Sequence, residues 1–456
     1  MPAYFGFHLS FICDLLGVSL ATYRVFHAST GTMSVLLGLL HVLIHATSKP
    51  SFNVGQSWQM FGLIAIVCMA SLLILSPRVF RLPSYEVFLR CHQALAVVVA
   101  YALWRHIPSQ SRLPRIYLLT SSCTFAVTFV LEGVTILYRN VTVSRGCSRA
   151  LITRQNHAVR MTIFPARPWK VKAGQYVNVW IPSIDPFASL QSHPFTIASW
   201  RDGQPACLEV LIEPRSGFTR RLLDCADDYQ EDDKSRVELH DEFERRAFGF
   251  ARNYPSQPEP FDFRIAFVSG PHGSTAPAGE YGKVVMIASG FGIAAQLPLL
   301  KELIQGSNHA EVRTRDIHLV WQLQNLGDEY PANNLLDRAL KEDTLDHGYM
   351  LRVSIFFANA HLDPDPQYLG KHQRVAYRSG EMDLPSLLRD RVDSETGNRM
   401  GRTLITVSTN ENVRDEVRDL VRPRLQEGTE LLELGYQPAE RRRRWWPSIW
   451  RSKSIP

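Results

Sequence analysis

Four histidines carry the first chemical signal. His27 and His41 lie in one apolar stretch and His92 and His106 in another, each pair 14 residues apart. On an α-helix, 14 residues turn about 1400°, roughly 40° short of four full turns, so both members of a pair face the same way about 21 Å apart along the axis. A lone histidine among apolar residues reads as a stray polar group bonded to backbone. Polar groups in hydrocarbon are costly and usually functional, however, and here two pairs share one spacing. If the two stretches run parallel, His27 lies level with His92 and His41 level with His106. Each level then holds two facing imidazoles, the axial donor set of a b-type haem iron. His45, 18 residues from His27 and thus five full turns on, shares that face. His41 is preferred because it matches the spacing of the second pair.

The segments that must hold these histidines are 23–46, 58–75, 85–106 and 114–137. Each is long and apolar enough to cross about 30 Å of hydrocarbon. One span separates the two that carry histidine, so those two run parallel. Lys49-Pro50, Pro77-Arg78 and Pro108 with Arg112 break the linkers. The first twenty residues are apolar but contain His8 and Asp14, and read as the end of a span or an interfacial segment. No basic run with a small-residue cleavage site marks a signal peptide. Arg24, Arg78, Arg81, Arg90, Arg139, Arg145 and Arg149 flank one side of the spans, and Lys49, Arg105, Arg112 and Arg115 the other. This bias places everything after the fourth span in the cytosol. The sequon Asn140-Val141-Thr142 falls on that side and is expected to stay unglycosylated.

Composition supports a folded chain of several domains. The chain has 456 residues, 45% of them apolar and 21% charged, which excludes a disordered, collagenous or coiled-coil protein. Before residue 140 the carboxylates are Asp14, Glu86 and Glu132 alone, so the acid is concentrated in the C-terminal two thirds. A net charge of +6 is too mild to argue for nucleic acid as a partner. The seven cysteines, Cys13, Cys68, Cys91, Cys123, Cys147, Cys207 and Cys225, share no metal-binding spacing and read as packing residues.

From about residue 145 the pattern changes to short alternating runs. Val177, Val179 and Ile181 share one face of a half-buried strand, and 208–212 reads as another strand. Between them lies His193-Pro194-Phe195-Thr196, and Gly270-Pro271-His272-Gly273 closes the region. Short strands with Gly/Pro turns suggest a small antiparallel barrel. Residues 224–260 read as an acidic, then Pro-rich, solvated insertion. Next, the apolar run 284–288 meets Ser289-Gly290-Phe291-Gly292-Ile293-Ala294-Ala295. A helical pattern follows, with Leu299, Leu300 and Leu303. Gly290, Gly292 and Ala295 fit G-x-G-x-x-G/A at a strand-to-helix turn, where backbone can approach a pyrophosphate. Strand signals at 317–322, 351–357 and 403–408 make a parallel α/β sheet. Near the C-terminus lie Arg441-Arg442-Arg443-Arg444-Trp445-Trp446, with Trp450 and Arg451 beyond, a basic, Trp-rich run that suits an anionic membrane surface.

This order of parts resembles the fungal ferric-chelate reductases, in the superfamily that also holds the NADPH oxidases. The histidine pairs with Tyr85-Glu86-Val87-Phe88, the His193–Thr196 motif, and Gly270–Gly273 followed by the 290–295 turn carry the resemblance across nearly the whole chain. It implies a multidomain membrane protein: an all-α transmembrane haem bundle, an antiparallel β-barrel FAD domain and an α/β parallel-sheet NADP domain, together ferredoxin reductase-like. The expected divisions are 1–140, 145–275, 280–436 and a basic tail, 437–456. His193, Pro194, Phe195 and Thr196 would hold FAD. Gly270 and Gly273 would belong to the nicotinamide-nucleotide region, and Gly290, Phe291 and Gly292 would cradle the nucleotide phosphates. His27 with His92, and His41 with His106, would ligate two b-type haems.

The resemblance also implies a reaction. A nicotinamide, NADPH, gives two electrons at once and haem takes one at a time, so a flavin must stand between them. Ferric chelates or cupric ions on the far side of the membrane would accept the electrons, with coupling to an iron uptake permease or oxidase. The expected location is the plasma membrane, with the vacuolar membrane as alternative, and the membrane lipid is the other partner. Three features depart from the family pattern. Two spans usually precede the first that bears histidine, so the chain is expected to be short at its N-terminus. Ser408-Thr409-Asn410 stands where Cys-Gly-Pro is usual, and His272 stands where Tyr or Phe is usual. The rival readings are an NADPH oxidase that makes superoxide and a non-catalytic descendant of a reductase.

Overall fold

The computed structural model describes residues 9–48, 53–81, 85–108, 110–143, 146–184, 193–201, 206–215, 217–228, 263–344, 349–360, 365–370, 372–392 and 402–435. The chain divides into two compact units, 1–135 and 136–456. The tail 437–456 and most of the expected acidic insertion lie outside the described residues.

The first unit is helical. A short helix, α1 (Leu9–Leu16), precedes α2 (Leu20–Ser48), α3 (Ser57–Leu75), α4 (Arg78–Arg81), α5 (Tyr85–His106) and α6 (Arg112–Asn140). Helices α2, α3, α5 and α6 are the four long and apolar enough to cross a membrane. Helix α1 has eight described residues. Helix α3 packs along α5 and α2 packs on α3. Small residues permit this: Ala65 and Ala102 are buried, and a Cβ added at Gly38 of α2 would come 3.0 Å from Ile66 Cδ1 of α3. Leu36, Leu40, Val67, Val97, Ile116 and Phe129 are exposed, the apolar outer surface that a lipid-embedded bundle requires.

The second unit begins with two antiparallel sheets. One runs β10 (Phe263–Ile265), β3 (Arg149–Gln155), β4 (Ala158–Phe164), β8 (Cys207–Ile212), β7 (Ser199–Arg201). The other runs β11 (Phe267–His272), β5 (Tyr176–Trp180), β6 (His193–Thr196). The β1 (Val141–Thr142) and β2 (Gly146–Cys147) pair stands beside them. Asn156, at φ +57°, turns the β3–β4 hairpin. Ile152, Met161, Val177, Val179, Ile212 and Val268 meet between the sheets as the barrel core. The region expected to open the insertion starts in regular structure: Asp224 ends α7 (Phe218–Asp224), and Asp227–Asp228 forms β9 beside β3.

A seven-stranded sheet follows, in the order β15 (Gln367–Leu369), β16 (Val375–Ser379), β14 (Leu351–Phe357), β13 (Asp316–Leu323), β12 (Lys283–Ser289), β17 (Thr403–Ser408), β18 (Thr429–Glu433). All its pairs are parallel except β15–β16. Strand β13 is buried along its whole length, as a parallel strand covered on both faces must be. Helices α8 (Ile293–Asn308) and α9 (Tyr330–Glu342) pack on one face, and α10 (Leu384–Val392) and α11 (Glu411–Val421) on the other. The parallel α/β sheet expected from the alternating strand and helix signals is present, with helices on both faces.

Barrel and α/β layer are fastened together. Ala173, Ala198 and Leu211 of the barrel join the core formed by α8, α9 and the parallel sheet. The Arg338 guanidinium donates to Glu209 at 3.2 Å, with Glu209 almost fully buried. The Lys301 ammonium donates to the Trp200 carbonyl and lies over the Trp200 ring. Glu302 accepts from the Ala173 N–H at 2.9 Å.

Asn140, fully buried, closes the outer edge of β11. Its Nδ2 donates to the Val268 carbonyl at 2.7 Å and its Oδ1 accepts from the Val268 N–H at 2.9 Å. The side chain thus replaces a missing neighbouring strand. Its nitrogen, the atom a glycan would take, is occupied. Asn140→Ala leaves both Val268 groups unpaired, and should lower the stability of the barrel's unfolding transition by about 1–3 kcal/mol in a thermal or denaturant melt.

Candidate electron-transfer site

The histidines on α2 and α5 meet in two places. The His27 and His92 ring centres are 6.0 Å apart, with the planes tilted by 51°. Those of His41 and His106 are 6.2 Å apart and nearly perpendicular, at 82°. Two imidazoles on one metal have centres about 6 Å apart: two metal–nitrogen bonds of about 2.0 Å each, plus the depth of each ring. His106 Nδ1 lies 2.8 Å from the Trp58 carbonyl, which can only accept. Nδ1 therefore carries the proton and Nε2 is left bare. His92 Nδ1 is buried without a hydrogen-bond partner among the described residues. His45 stands one turn beyond His41 and stacks on it at 6.5 Å. The donor chemistry and spacing of the two pairs fit a bis-imidazole haem iron.

The His193–Thr196 segment is β6, paired antiparallel with β5. Directly opposed residues share a face, so His193 and Phe195 lie with Val179 and Val177 on the core side. Phe195 is buried there, and His193 stacks flat on Phe218 at 4.0 Å. Pro194 and Thr196 lie on the other face with Asn178 and Tyr176. Thr196 Oγ1 reaches the Gly435 carbonyl at 3.5 Å, at the end of the α/β layer. Tyr176 and Asn178 were not among the candidates from sequence, although their alternation with Val177 and Val179 marks them as the outer face of β5.

Gly270 and Gly273 lie beside this same face. A Cβ at Gly270 would come 3.1 Å from the Tyr176 carbonyl, and one at Gly273 would come 3.4 Å from the Tyr176 ring. The φ values of +132° and +94° add a second requirement for glycine. His272, buried between them, accepts or donates at Nε2 to Ser269 Oγ at 2.9 Å and packs on Tyr176. The structure thus seats residues 270–273 against Tyr176 of β5 in the barrel.

Residues Gly290–Gly292 form a 3₁₀ turn between β12 and α8. Gly292 is packed so closely that an added Cβ would fall 1.8 Å from the Ser408 carbonyl. Around Gly290 there is open space for backbone approach. No side chain caps the start of α8; the Ile293 N–H donates instead to the Gly290 and Phe291 carbonyls of the turn. Strands β12 and β17 are neighbours whose connections leave in opposite directions, and this turn lies at that switch point. Phe291 is half-exposed there. Ser408, buried at the end of β17, has a hydroxyl with no hydrogen-bond partner among the described residues. Asn410 joins the two strand ends: its N–H donates to Ser289 Oγ at 3.0 Å, and its side chain caps α11 through Val413 N–H.

Known proteins match in the same order. The ferric reductase like transmembrane component matches residues 1–103, an FAD-binding domain matches 149–276, and the ferric reductase NAD binding domain matches 281–423. The ferric/cupric reductase transmembrane component 2 of Saccharomyces cerevisiae is 26% identical over 324 residues, covering 68% of this chain and 39% of that protein. The ferric/cupric reductase transmembrane component 2 of Schizosaccharomyces pombe is 24% identical, covering 69% of this chain and 56% of that protein. An Amycolatopsis cytochrome P450 reductase overlays 63% of this chain and 70% of its own at 15% identity, with a TM-score of 0.36. This chain spans about two fifths of the length of the budding-yeast relatives it matches. Apolar spans bearing paired histidines, a flavin-type barrel and a nucleotide-type α/β layer, each matched by its own model, place this chain in the fungal ferric-chelate reductase family as an integral membrane protein with FAD- and NAD(P)-binding domains.

Proposed function

We propose that the chain is a transmembrane oxidoreductase that carries electrons from cytosolic NADPH through FAD and two b-type haems to ferric chelates, and to cupric ions, across the membrane. The observation that carries this reading is the meeting of two imidazole pairs, at 6.0 and 6.2 Å, along the same two spans. When bound, the nicotinamide supplies a hydride, the flavin divides its electron pair and the haems pass electrons singly.

The chain's own residues hold and orient. His27 with His92 would hold the inner haem and His41 with His106 the outer one, the Trp58 carbonyl keeping the His106 proton on Nδ1. Pro194, Thr196, Tyr176 and Asn178 would line the flavin, with His193 and Phe195 stiffening β6 from the core side. Gly290, Phe291 and Gly292, at the start of α8, would receive the pyrophosphate. Gly270 and Gly273 let the chain turn against Tyr176 at the flavin face. The excess of basic residues flanking one side of the spans supports a cytosolic barrel and α/β layer.

NADPH is favoured over NADH by charge at the carboxyl ends of the strands. In NAD-selective sites a carboxylate near the second strand takes the ribose hydroxyls. Here β13 ends in Gln322-Leu323 followed by Gln324, and the nearby Asp328 and Glu329 accept from the Asn325 and Gly327 N–H groups. Ser289, Gln322, Phe356 and Arg378 are in register across β12, β13, β14 and β16. At about 4.8 Å per strand, Arg378 stands about 14 Å along the sheet edge from the glycine turn. Its guanidinium is exposed over the Phe356 ring, suited to a ribose 2′-phosphate.

The test is a reduced-minus-oxidised spectrum of the membrane-bound chain with NADPH as sole reductant, followed by ferric-chelate reduction. Bis-imidazole bands that appear with NADPH and decay on adding a ferric chelate are expected; absent haem bands would overturn the reading. Superoxide release without metal reduction would favour the oxidase chemistry instead. Gly292→Ala should slow the NADPH-driven signal by roughly 100-fold, since about 1 Å of misplacement costs that much, while leaving the dithionite signal intact. His92→Ala should lower haem from two per chain to one in a pyridine haemochrome assay. Arg378→Ala should raise KM for NADPH roughly 10- to 100-fold, the loss of a charge-assisted bond, with KM for NADH unchanged.

A further inference from the structure

One turn of α3 does two things to His106. The carbonyl of Trp58 accepts from His106 Nδ1 at 2.8 Å. Four residues on, Gly62 gives the ring its place: a Cβ there would lie 2.6 Å from His106 Nδ1 and 2.7 Å from Cε1. Any side chain at Gly62 would therefore lift the imidazole off the helix and break its bond to the carbonyl. The Trp58 ring, 6.1 Å from the His106 ring, flanks the same position. It also meets His45, at 6.2 Å, and His45 stacks nearly parallel on His41, with 13° between their planes. The outer level thus holds three imidazoles, but α3 seats only one of them.

We propose that the Trp58–Gly62 turn is a positioning element for the outer haem, fixing the His106 tautomer and ring position so that His106 pairs with His41 and leaves His45 outside the ligand set. The inference rests on the haem reading above. Trp58 and Gly62 touch neither the iron nor the acceptor; they act through His106. The bond to a backbone carbonyl makes Nε2 the donor nitrogen and raises its basicity, and loss of such a partner typically weakens metal binding roughly 10- to 100-fold. At the inner level His92 Nδ1 has no hydrogen-bond partner among the described residues, so the Trp58 carbonyl bond is a feature of His106 and not of His92. The two haems should therefore respond differently to changes in α3.

The experiment compares full-length wild type with Gly62→Ala, His45→Ala and Gly38→Ala in membranes, by haem-to-flavin ratio, low-spin haem EPR and redox titration. Gly38 serves as a packing control, because a Cβ there meets the flexible end of Ile66 rather than a histidine. The expected result is that Gly62→Ala loses or shifts one of two EPR and redox components and leaves the other unchanged, while His45→Ala and Gly38→Ala keep both. An unaltered outer component in Gly62→Ala, loss of both components in that variant, or loss of a haem in His45→Ala would overturn the proposal. A wild type that binds no haem would instead overturn the underlying reading, so the two failures are distinguishable.

Discussion

An imidazole in hydrocarbon is costly unless its ring nitrogens find partners, and α2, α3 and α5 bring the paired histidines together. Four histidines on two spans would each be a liability in lipid if left alone. Helical geometry turns the liability into order, because a 14-residue spacing returns each pair to one face. The pairs then meet at two levels, with ring centres 6.0 and 6.2 Å apart. Helix α3 is the third party: it lends a carbonyl to His106 and, by carrying Gly62 beneath it, the space to use that carbonyl.

The second unit answers a different demand, that of bringing backbone close to a charged ligand. The Gly292–Ser408 approach is too tight for any side chain, so the turn after β12 is held against the end of β17. Asn410 secures the same junction from the other side through Ser289. The Ser408-Thr409-Asn410 segment, which departs from the family pattern, thus forms a well-braced strand end and helix cap. The Arg338–Glu209 pair and the Lys301–Trp200 contact hold this junction in a constant relation to the barrel face that carries Thr196. An almost fully buried Glu209 without its guanidinium would be an uncompensated charge, so the pair resists separation.

Several features were legible from the chain alone because they are periodic or local. The four spans follow from run length, and their helices extend the expected segments by a turn or less at each end. The buried run 284–288, the glycine turn and the apolar pattern of α8 lie within a stretch of some twenty residues and need no distant partner to be recognised. The parallel sheet followed from apolar strands alternating with helices. Strands β15, β16 and β18 escaped notice because they are short and exposed at or near the sheet edges, where the pattern is diluted. Tyr176 and Asn178 escaped because a half-buried strand shows which residues alternate, but not what covers its polar face.

The sequence by itself determined the layers, the segments that span lipid and the spacing that sets two histidines on one helix face, since these depend on residues within a few turns of each other. Only the tertiary structure decided which side chains meet. It set His41 rather than His45 across from His106, put Phe195 and His193 on the core side of β6, and brought Gly270 and Gly273 to Tyr176. It also pressed Gly292 against Ser408, more than a hundred positions later in the chain. Contacts of this kind depend on how separate elements pack, and packing is a property of volumes and faces that no local spacing records.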